Sequence, residues 1–196
     1  MAAHSILLSL AILGRSSALV SSDGYTGRLP AMGWNSWNEY ECAINETVFL
    51  EVGELLISLG LKDLGYNYVN IDDCWSDKAY QRDNVTGKIR PDYIKFPKGI
   101  EHTAGELHKL DLKVGIYGDA GDTTCGGYAG SLGHEEVDAK TFAEWGIDCA
   151  NHLPSLVISC PLLTLNRSEI RQLRRALQLG RRLPLLARKL ARRSSS

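Results

Sequence analysis

The chain has 196 residues, 44% of them hydrophobic, which is enough for one buried core and fewer than the about 250 residues of a complete (β/α)8 barrel. Its formal net charge of −1 hides an asymmetry, because residues 1–148 hold 12 Lys and Arg against 22 Asp and Glu, whereas residues 149–196 hold 10 against 1. Beyond the amino terminus, no segment is apolar enough to predict a membrane span.

The first 18 residues have the pattern of a cleaved secretory signal. The apolar run 6–13 is too short to span a bilayer, and Ser16-Ser17-Ala18 is a small-x-small site of the kind that signal peptidase accepts. The positively charged segment before this run is thin, so a buried N-terminal helix is the alternative. We expect a secreted protein whose mature chain begins near Leu19.

Three strands and three helices are predicted in alternation after this signal. The strands, rich in β-branched and aromatic residues, cover 32–35, 66–71 and 113–117. The helices run from an N-cap at Asn45 to Gly60, along an apolar face of Ile100, Ala104 and Leu107, and over 135–145. This alternation predicts parallel βαβ units in an α/β fold. A doubly wound sheet and a TIM barrel both begin in this way, and the periodicity does not choose between them.

Carboxylate and aromatic side chains follow the predicted strands. Trp37 lies in a loop predicted after the first strand, Asp72 and Asp73 follow the second, and Tyr117 closes the third. In both α/β architectures, ligands bind at the carboxyl ends of the strands. Carboxylates accept hydrogen bonds from hydroxyls, and aromatic faces cover the apolar C–H surface of a sugar. The pattern therefore predicts a sugar-binding edge.

Asp72 and Asp73 are neighbours in the sequence, which limits the role they can share. Successive side chains of a strand point to opposite faces, so the two carboxylates do not converge on one glycosidic bond as an acid and base pair. We assign both to binding. The alternative is that the pair caps the following turn.

Five motifs occur in order between residues 27 and 148. They are Leu29-Pro30-Ala31-Met32-Gly33-Trp34-Asn35-Ser36-Trp37-Asn38, Gly65-Tyr66-Asn67-Tyr68-Val69-Asn70-Ile71-Asp72-Asp73-Cys74-Trp75, Phe96-Pro97-Lys98-Gly99-Ile100, Gly115-Ile116-Tyr117-Gly118-Asp119 and Thr123-Thr124-Cys125-Gly126-Gly127. Together they resemble the α-galactosidases of glycoside hydrolase family 27, also called melibiases. The Asp-Asp-Cys-Trp block is the most specific of the five.

The resemblance implies a fold, an activity and a set of site residues. The fold is a (β/α)8 TIM barrel, of which this chain holds the first three βα units, incomplete. The activity is hydrolysis of terminal α-galactose from oligosaccharides or galactomannan, with retention and without cofactor, metal or nucleic acid. The family pocket implies substrate binding by Trp37, Asp72, Asp73 and Tyr117, the two aspartates holding the C4 and C6 hydroxyls. Tyr117 has the alternative of a barrel-core residue.

Cysteines and glycosylation sites also follow partly from the resemblance. It implies a disulfide between Cys42 and Cys74, and it leaves Cys125 without its family partner, unless Cys149 or Cys160 replaces that partner. The count of five cysteines leaves at least one unpaired in any case. Asn45 and Asn84 head N-x-Thr sequons, which suits an exported glycoprotein.

The sequence departs from the family after Asp148. There the family continues into a strand of the type Tyr-Leu-Lys-Tyr-Asp-Asn-Cys, whose Asp is the nucleophile, but this chain has Leu153 at that position. The acid/base Asp of the family has no counterpart in residues 149–196, where Glu169 is the one carboxylate residue. Retaining hydrolysis needs both groups, so we identify no catalytic residue and expect this chain to be inactive.

Residues 149–196 differ in composition from the rest. They contain 12 Leu, 9 Arg and 6 Ser, which is 27 of 48 residues, and none of the 15 aromatic residues of the chain. We predict an unrelated basic tail produced by a retained intron or a frameshift, after a family segment that covers residues 19–148. The alternative is a basic amphipathic helix that binds a membrane surface or a polyanion, although Pro184 interrupts it. Within the tail, residues 155–159 are the one segment with strand-like content and the candidate for a substitute fourth strand, although Pro154 and Pro161 bracket them.

Overall fold

The computed structural model describes residues 31–151 and 162–164, which form one parallel sheet and its helices. The strands are β1 (Ala31–Asn35), β2 (Tyr68–Ile71), β3 (Lys113–Tyr117), β4 (Cys149–Asn151) and β5 (Leu162–Thr164). The helices are α1 (Trp37–Tyr40), α2 (Glu46–Ser58), α3 (Ile100–Lys109) and α4 (Glu135–Glu144). A single 3-10 turn, Lys62–Leu64, leads into β2.

The strand order is β4-β3-β2-β1-β5, and every pairing is parallel. β1 to β4 are therefore spatial neighbours in chain order, with a helical connection between each pair. This arrangement confirms the α/β class and the three βα units predicted from the sequence.

α2 shows how local sequence determines an element. The side chain of Asn45 accepts a hydrogen bond from the backbone N–H of Val48 at 3.2 Å, which caps the first turn. Phe49, Val52 and Leu56 recur at helical spacing and are buried. The helix predicted between Asn45 and Gly60 is thus confirmed, with its last residue at Ser58.

The hydrophobic core lies between one face of the sheet and the helices. Alternate residues of the strands point into it, namely Trp34, Val69, Ile71, Val114 and Ile116, all at most 2% exposed. Phe49 of α2 packs its ring against Trp34 and Phe96, with centroids 6.0 and 5.8 Å apart. The predicted apolar face of α3, formed by Ile100, Ala104 and Leu107, is also buried here.

The opposite face of the sheet carries small and polar residues. Gly33 packs against the backbone of Tyr68, and Gly115 leaves room for the carboxamide of Asn70. Asn70 is 1% exposed, and neither polar atom of its side chain has a hydrogen-bond partner within the described part of the chain. This face therefore differs in chemistry from the apolar face that the helices cover.

Two expectations from the sequence were wrong in detail. The segment that contains Trp37 is not a loop throughout, because the short helix α1 begins at that residue. The position beside β3 is occupied by β4 and not by residues 155–159, which lie outside the described residues. Asp148 explains the difference: its backbone N–H donates to the carbonyl of Val114 at 2.9 Å, and its carboxylate accepts from the N–H of Val114 at 2.8 Å. The chain is thus paired to β3 before residue 149.

Some predictions from the sequence concern residues that the structure does not describe. These are the signal at 1–18 and the basic tail apart from residues 149–151 and 162–164. Within residues 31–151 and 162–164, no helix has both the length and the apolar character that crossing a bilayer requires.

The close approach of β1 and β2 at Gly33 gives a test of the fold. A Cβ at this position would lie 2.6 Å from the Cβ of Tyr68 and closer still to its carbonyl oxygen, so the two strands would have to separate. We expect Gly33→Ala to lower the free energy of unfolding by about 1–3 kcal/mol.

The matched control is Gly105→Ala, because Gly105 lies within α3 and a Cβ there meets nothing within 4 Å. This variant should raise stability by about 0.5–1 kcal/mol. Urea unfolding of both variants measures the difference, and equal midpoints would contradict the strand packing.

Candidate functional site

The carboxyl ends of β1, β2 and β3 lie at one edge of the sheet. The register pairs Asn35 with Asn70 and Asn70 with Gly115. Trp37 begins α1 two residues after the end of β1, Asp72 directly follows β2, and Tyr117 is the last residue of β3. Segments that are 35 and 45 positions apart in the sequence thus meet at one edge of the sheet.

Asp72 is half-buried and held by the end of β1. Its Oδ2 accepts a hydrogen bond from Nδ2 of Asn35 at 2.7 Å, and its backbone N–H donates to Oγ of Ser36 at 3.0 Å. Oδ1 accepts the backbone N–H of Asp73 at 2.8 Å. A carboxylate has about four acceptor sites, so about two stay open for hydroxyl donors. Asp72 is thus an oriented acceptor that keeps capacity for a ligand.

Asp73 has a different environment. It is 2% exposed, and its carboxylate accepts from Oγ1 of Thr124 at 2.9 Å and from the N–H groups of Cys74 and Gly126, both at 2.7 Å. Three donors leave about one acceptor site for anything else. Asp73 therefore fastens the loop after β3 to the end of β2.

Trp37 and Tyr117 lie at the ends of β1 and β3, the two strands that pair with β2. Trp37 is 39% exposed, and its backbone N–H donates to Oδ1 of Asn35 at 2.8 Å, so one asparagine positions both Trp37 and Asp72. The backbone carbonyl of Tyr117 accepts from Nε1 of Trp75 at 2.8 Å, and Trp75 itself is buried against Phe142 and Trp145. The backbone of both residues is therefore held by a neighbouring side chain, that of Asn35 for Trp37 and that of Trp75 for Tyr117.

The hydroxyl of Tyr117 donates toward Sγ of Cys125 at 3.7 Å. Burial raises the pKa of the Tyr117 phenol, and contact with Cys125 and the negative charges of Asp73 and Asp119 raise it further. Tyr117 is consequently a neutral hydroxyl at physiological pH, able to donate and accept hydrogen bonds.

A disulfide between Cys42 and Cys74 confirms the pairing that the resemblance implied, with Cα atoms 5.2 Å apart. It ties the segment after α1 to the end of β2, where Cys74 has a positive φ of 73°. Among the described residues Cys125 is an exposed thiol and Cys149 is buried, and no disulfide joins the two, so the capture of Cys125 by Cys149 did not occur. Cys160 lies outside the described residues.

Two lysines stand beside the aspartates. Nζ of Lys78 donates to the carbonyl of Gly126 at 2.8 Å, and Nζ of Lys95 donates to the carbonyl of Cys74 at 2.7 Å. Both ammonium groups also lie over the ring of Tyr128, at 5.0 and 5.9 Å from its centroid. Lys78 and Lys95 therefore bind the backbone of Gly126 and Cys74, the two residues whose N–H groups donate to Asp73.

Sequence reasoning missed several residues of this site. Asn35, Ser36, Thr124 and Gly126 hold the two aspartates, yet none was selected as a site residue. Asn35 and Ser36 close the first strand, and strand ends were the signal used for the others. Thr124 and Gly126 lie in a motif that the resemblance had marked, but their contact with Asp73 spans about 50 residues. Among the described residues, no cluster of three potential metal ligands was found.

Comparison with known proteins places the chain in a family. The Melibiase_2 family model, described as alpha galactosidase A, matches residues 29–180. A probable alpha-galactosidase B of Emericella nidulans is 55% identical over 142 residues, which are 72% of this chain and 31% of that protein. The corresponding protein of Talaromyces emersonii is 59% identical over 131 residues, covering 67% of this chain and 28% of its own length.

Solved structures give the same result. Alpha-galactosidase I from Mortierella vinacea superposes with a TM-score of 0.63 at 46% identity, over 67% of this chain and 32% of that one. The α-galactosidase of Saccharomyces cerevisiae solved with raffinose has a TM-score of 0.62 at 41% identity, over 68% of this chain and 28% of that one. The chain thus spans about a third of the length of the relatives it matches.

The raised pKa of Tyr117 has a measurable consequence. Free tyrosine ionises near pH 10, so on raising the pH the unfolded chain loses this proton before the folded chain does. The contribution of Tyr117 to stability is therefore complete below about pH 10 and falls above it. We expect Tyr117→Phe to reduce the loss of stability between about pH 9 and pH 11.

Urea midpoints across this pH range measure the effect. A tyrosinate absorbance titration of the folded chain is the second readout: removing Tyr117 should leave the absorbance gained up to about pH 11 unchanged. A smaller absorbance gain in Tyr117→Phe would show that this phenol ionises early and contradict its environment.

Proposed function

The chain belongs to the Melibiase_2 family, described as alpha galactosidase A, and we propose that its polar sheet edge binds the terminal galactose of α-galactosides. The observation that carries the proposal is that Trp37, Asp72 and Tyr117 stand at the carboxyl ends of three adjacent parallel strands, with Asn35 bonded to both Trp37 and Asp72. Asp72 offers open acceptor sites, and Trp37 offers an aromatic face that is partly exposed. These are the two kinds of group that a sugar needs.

The two aspartates differ in how many hydrogen bonds they can still accept from a sugar. Asp72, with about two free acceptor sites, is the stronger partner for sugar hydroxyls, and Asp73 adds at most one further bond because three donors already engage it. The C4 and C6 hydroxyls of galactose are the groups we assign to them. Tyr117, neutral at physiological pH, complements them as an acceptor of a sugar hydroxyl, because its own proton is directed at Sγ of Cys125.

The substrates we propose are α-galactoside oligosaccharides and galactomannan. One relative of known structure was solved with raffinose, which carries a terminal α-galactose. The reaction of the family, hydrolysis with retention, needs a carboxylate nucleophile and a second carboxylic acid. In this sequence Leu153 stands at the nucleophile position, so we propose that these 196 residues bind galactose without hydrolysing the glycoside. In that case galactose recognition is the function that they retain.

We also propose that the protein is secreted and that its family segment covers residues 19–148. The Cys42–Cys74 disulfide supports export, since such bonds persist in oxidising compartments. Asn45 and Asn84, the proposed glycosylation sites, are both exposed. The family match continues to residue 180, so the boundary at 148 rests on the lost motif and the basic composition of residues 149–196.

A second candidate function rests on charge. Residues 149–196 carry 10 Lys and Arg against 1 Glu, which favours attraction to a polyanion or an acidic membrane surface. Such binding falls steeply with salt, whereas galactose, an uncharged ligand, binds with little salt dependence. Retention on heparin that is lost at moderate salt separates the two functions.

The galactose proposal predicts binding that depends on Asp72. A hydrogen bond to a charged group contributes about 1.5–3 kcal/mol, so we expect Asp72→Asn to weaken galactose binding by about 10- to 100-fold. Asp63→Asn is the matched control, because Asp63 is an exposed carboxylate in the 3-10 turn that precedes β2. Calorimetric titration with galactose, and with glucose as the C4 epimer, measures both. Equal affinity for the two sugars would contradict the site.

The missing nucleophile predicts an absence of turnover. Removing such groups abolishes covalent catalysis and leaves only binding and orientation. We expect the purified chain to release no more product from a chromogenic α-galactoside than a buffer blank, under conditions where galactose binds. Turnover that galactose inhibits competitively would contradict this proposal and require an unrecognised nucleophile.

A further inference from the structure

A buried ion pair joins two segments whose side chains are not among the proposed sugar-binding residues. Asp138, on α4, is fully buried, and Arg82, in the segment between β2 and α3, is 15% exposed. The guanidinium holds both carboxylate oxygens, at 2.6 and 2.7 Å, and Oγ of Ser131 donates to the same carboxylate at 2.7 Å. We call Arg82, Asp138 and Ser131 the Arg82 clamp.

The guanidinium also binds two backbone carbonyls. One is Gly87, at 3.0 Å, which belongs to the same hairpin as Arg82 itself. The other is Gly130, at 2.6 Å, in the loop between β3 and α4. A single side chain therefore joins the hairpin, this loop and a helix, and it uses the planar, multiply donating shape that lysine lacks.

The loop that contains Gly130, which the Arg82 clamp binds, also donates hydrogen bonds to Asp73. We call residues 119–131 the Cys125 loop. It is closed by backbone bonds, such as Gly130 N–H to the carbonyl of Asp122 at 2.9 Å and Ser131 N–H to the carbonyl of Asp119 at 2.8 Å. At its tip, Thr124 and Gly126 donate to Asp73. Its base is bound by the Arg82 clamp, so the two attachments act on one compact unit.

We propose that Arg82 is a positioning residue for the sugar site: it orders the Cys125 loop, and the loop in turn orients Asp73 and places Cys125 against the hydroxyl of Tyr117. Arg82 touches none of the proposed sugar-binding side chains. This inference rests on the proposed function for its effect on sugar binding. Its effect on the loop is independent of that function.

The first measurement is amide hydrogen exchange in the whole chain, resolved by NMR. The reporter is the N–H of Gly126, which is bonded to Asp73 in the ordered loop. In Arg82→Lys, we expect exchange at Gly126 to accelerate by about tenfold or more, while the amides of β2 and β3 keep their protection. Local opening of this kind differs from general destabilisation, which would accelerate the exchange of all of them.

Two further variants make the measurement decisive. Arg82→Gln combined with Asp138→Asn removes both charges together, so that no unpaired charge stays buried, and we expect the same opening at Gly126. Lys88→Gln is the matched control. It removes the exposed pair of Lys88 and Glu144, which joins the same hairpin to the same helix at 2.5 Å, and it should leave the exchange of Gly126 unchanged.

The second measurement is the affinity for galactose in the same variants, which we expect to fall by about tenfold in Arg82→Lys and to stay unchanged in Lys88→Gln. If the wild-type chain does not bind galactose, the proposed function fails, and hydrogen exchange alone decides on the ordering of the loop. Unchanged exchange at Gly126 overturns the clamp. Faster exchange with unchanged galactose affinity overturns its positioning role.

Discussion

The carboxylate of Asp73 sits at the end of β2 with almost no contact with solvent, and burying such a charge is costly unless donors surround it. Here the donors come from Thr124 and Gly126, about 50 residues later in the chain, and from the neighbouring N–H of Cys74. This requirement joins the carboxyl ends of β2 and β3 into one surface. The adjacent Asp72 is held separately, by Asn35 and Ser36 at the end of β1, and keeps open acceptor sites.

The side chains of this surface are held in place by the rest of the fold. Its open acceptor, Asp72, is already oriented by Asn35, and the disulfide of Cys42 and Cys74 fixes the segment that carries Trp37. A site with such support loses little conformational freedom when a ligand binds. The sequence departs from the family pattern after Asp148, beyond all four residues proposed to bind the sugar.

Much of this arrangement could be predicted because its signals are local. Strand and helix positions follow from periodicity, and the residues that close each strand follow from the rule that parallel strands present their carboxyl ends together. The roles of Thr124 and Gly126 could not be predicted in this way, because a hydrogen bond between distant segments leaves no periodic trace. The same applies to Arg82 and Asp138, which read as ordinary surface charges in the sequence. The resemblance to the α-galactosidases supplied the disulfide, which spacing alone did not determine.

The fourth strand shows a different limit. Residues 155–159 were the candidate for a substitute strand because of their β-branched content, but β4 forms at Cys149–Asn151, where Asp148 has already paired with β3. A contact made just before a segment can decide which residues pair, and β-branched content alone does not reveal it.

The central claim is that Trp37, Asp72 and Tyr117 form one galactose-binding surface. Titration of the isotopically labelled chain with galactose, followed by NMR of backbone amides and tryptophan indoles, tests it most directly. We expect saturable chemical-shift changes at the indole of Trp37 and the amides of Asp72, Asp73 and Tyr117, with none at the amides of α3. Absence of shifts at saturating galactose, or shifts confined to residues away from this edge of the sheet, would contradict it.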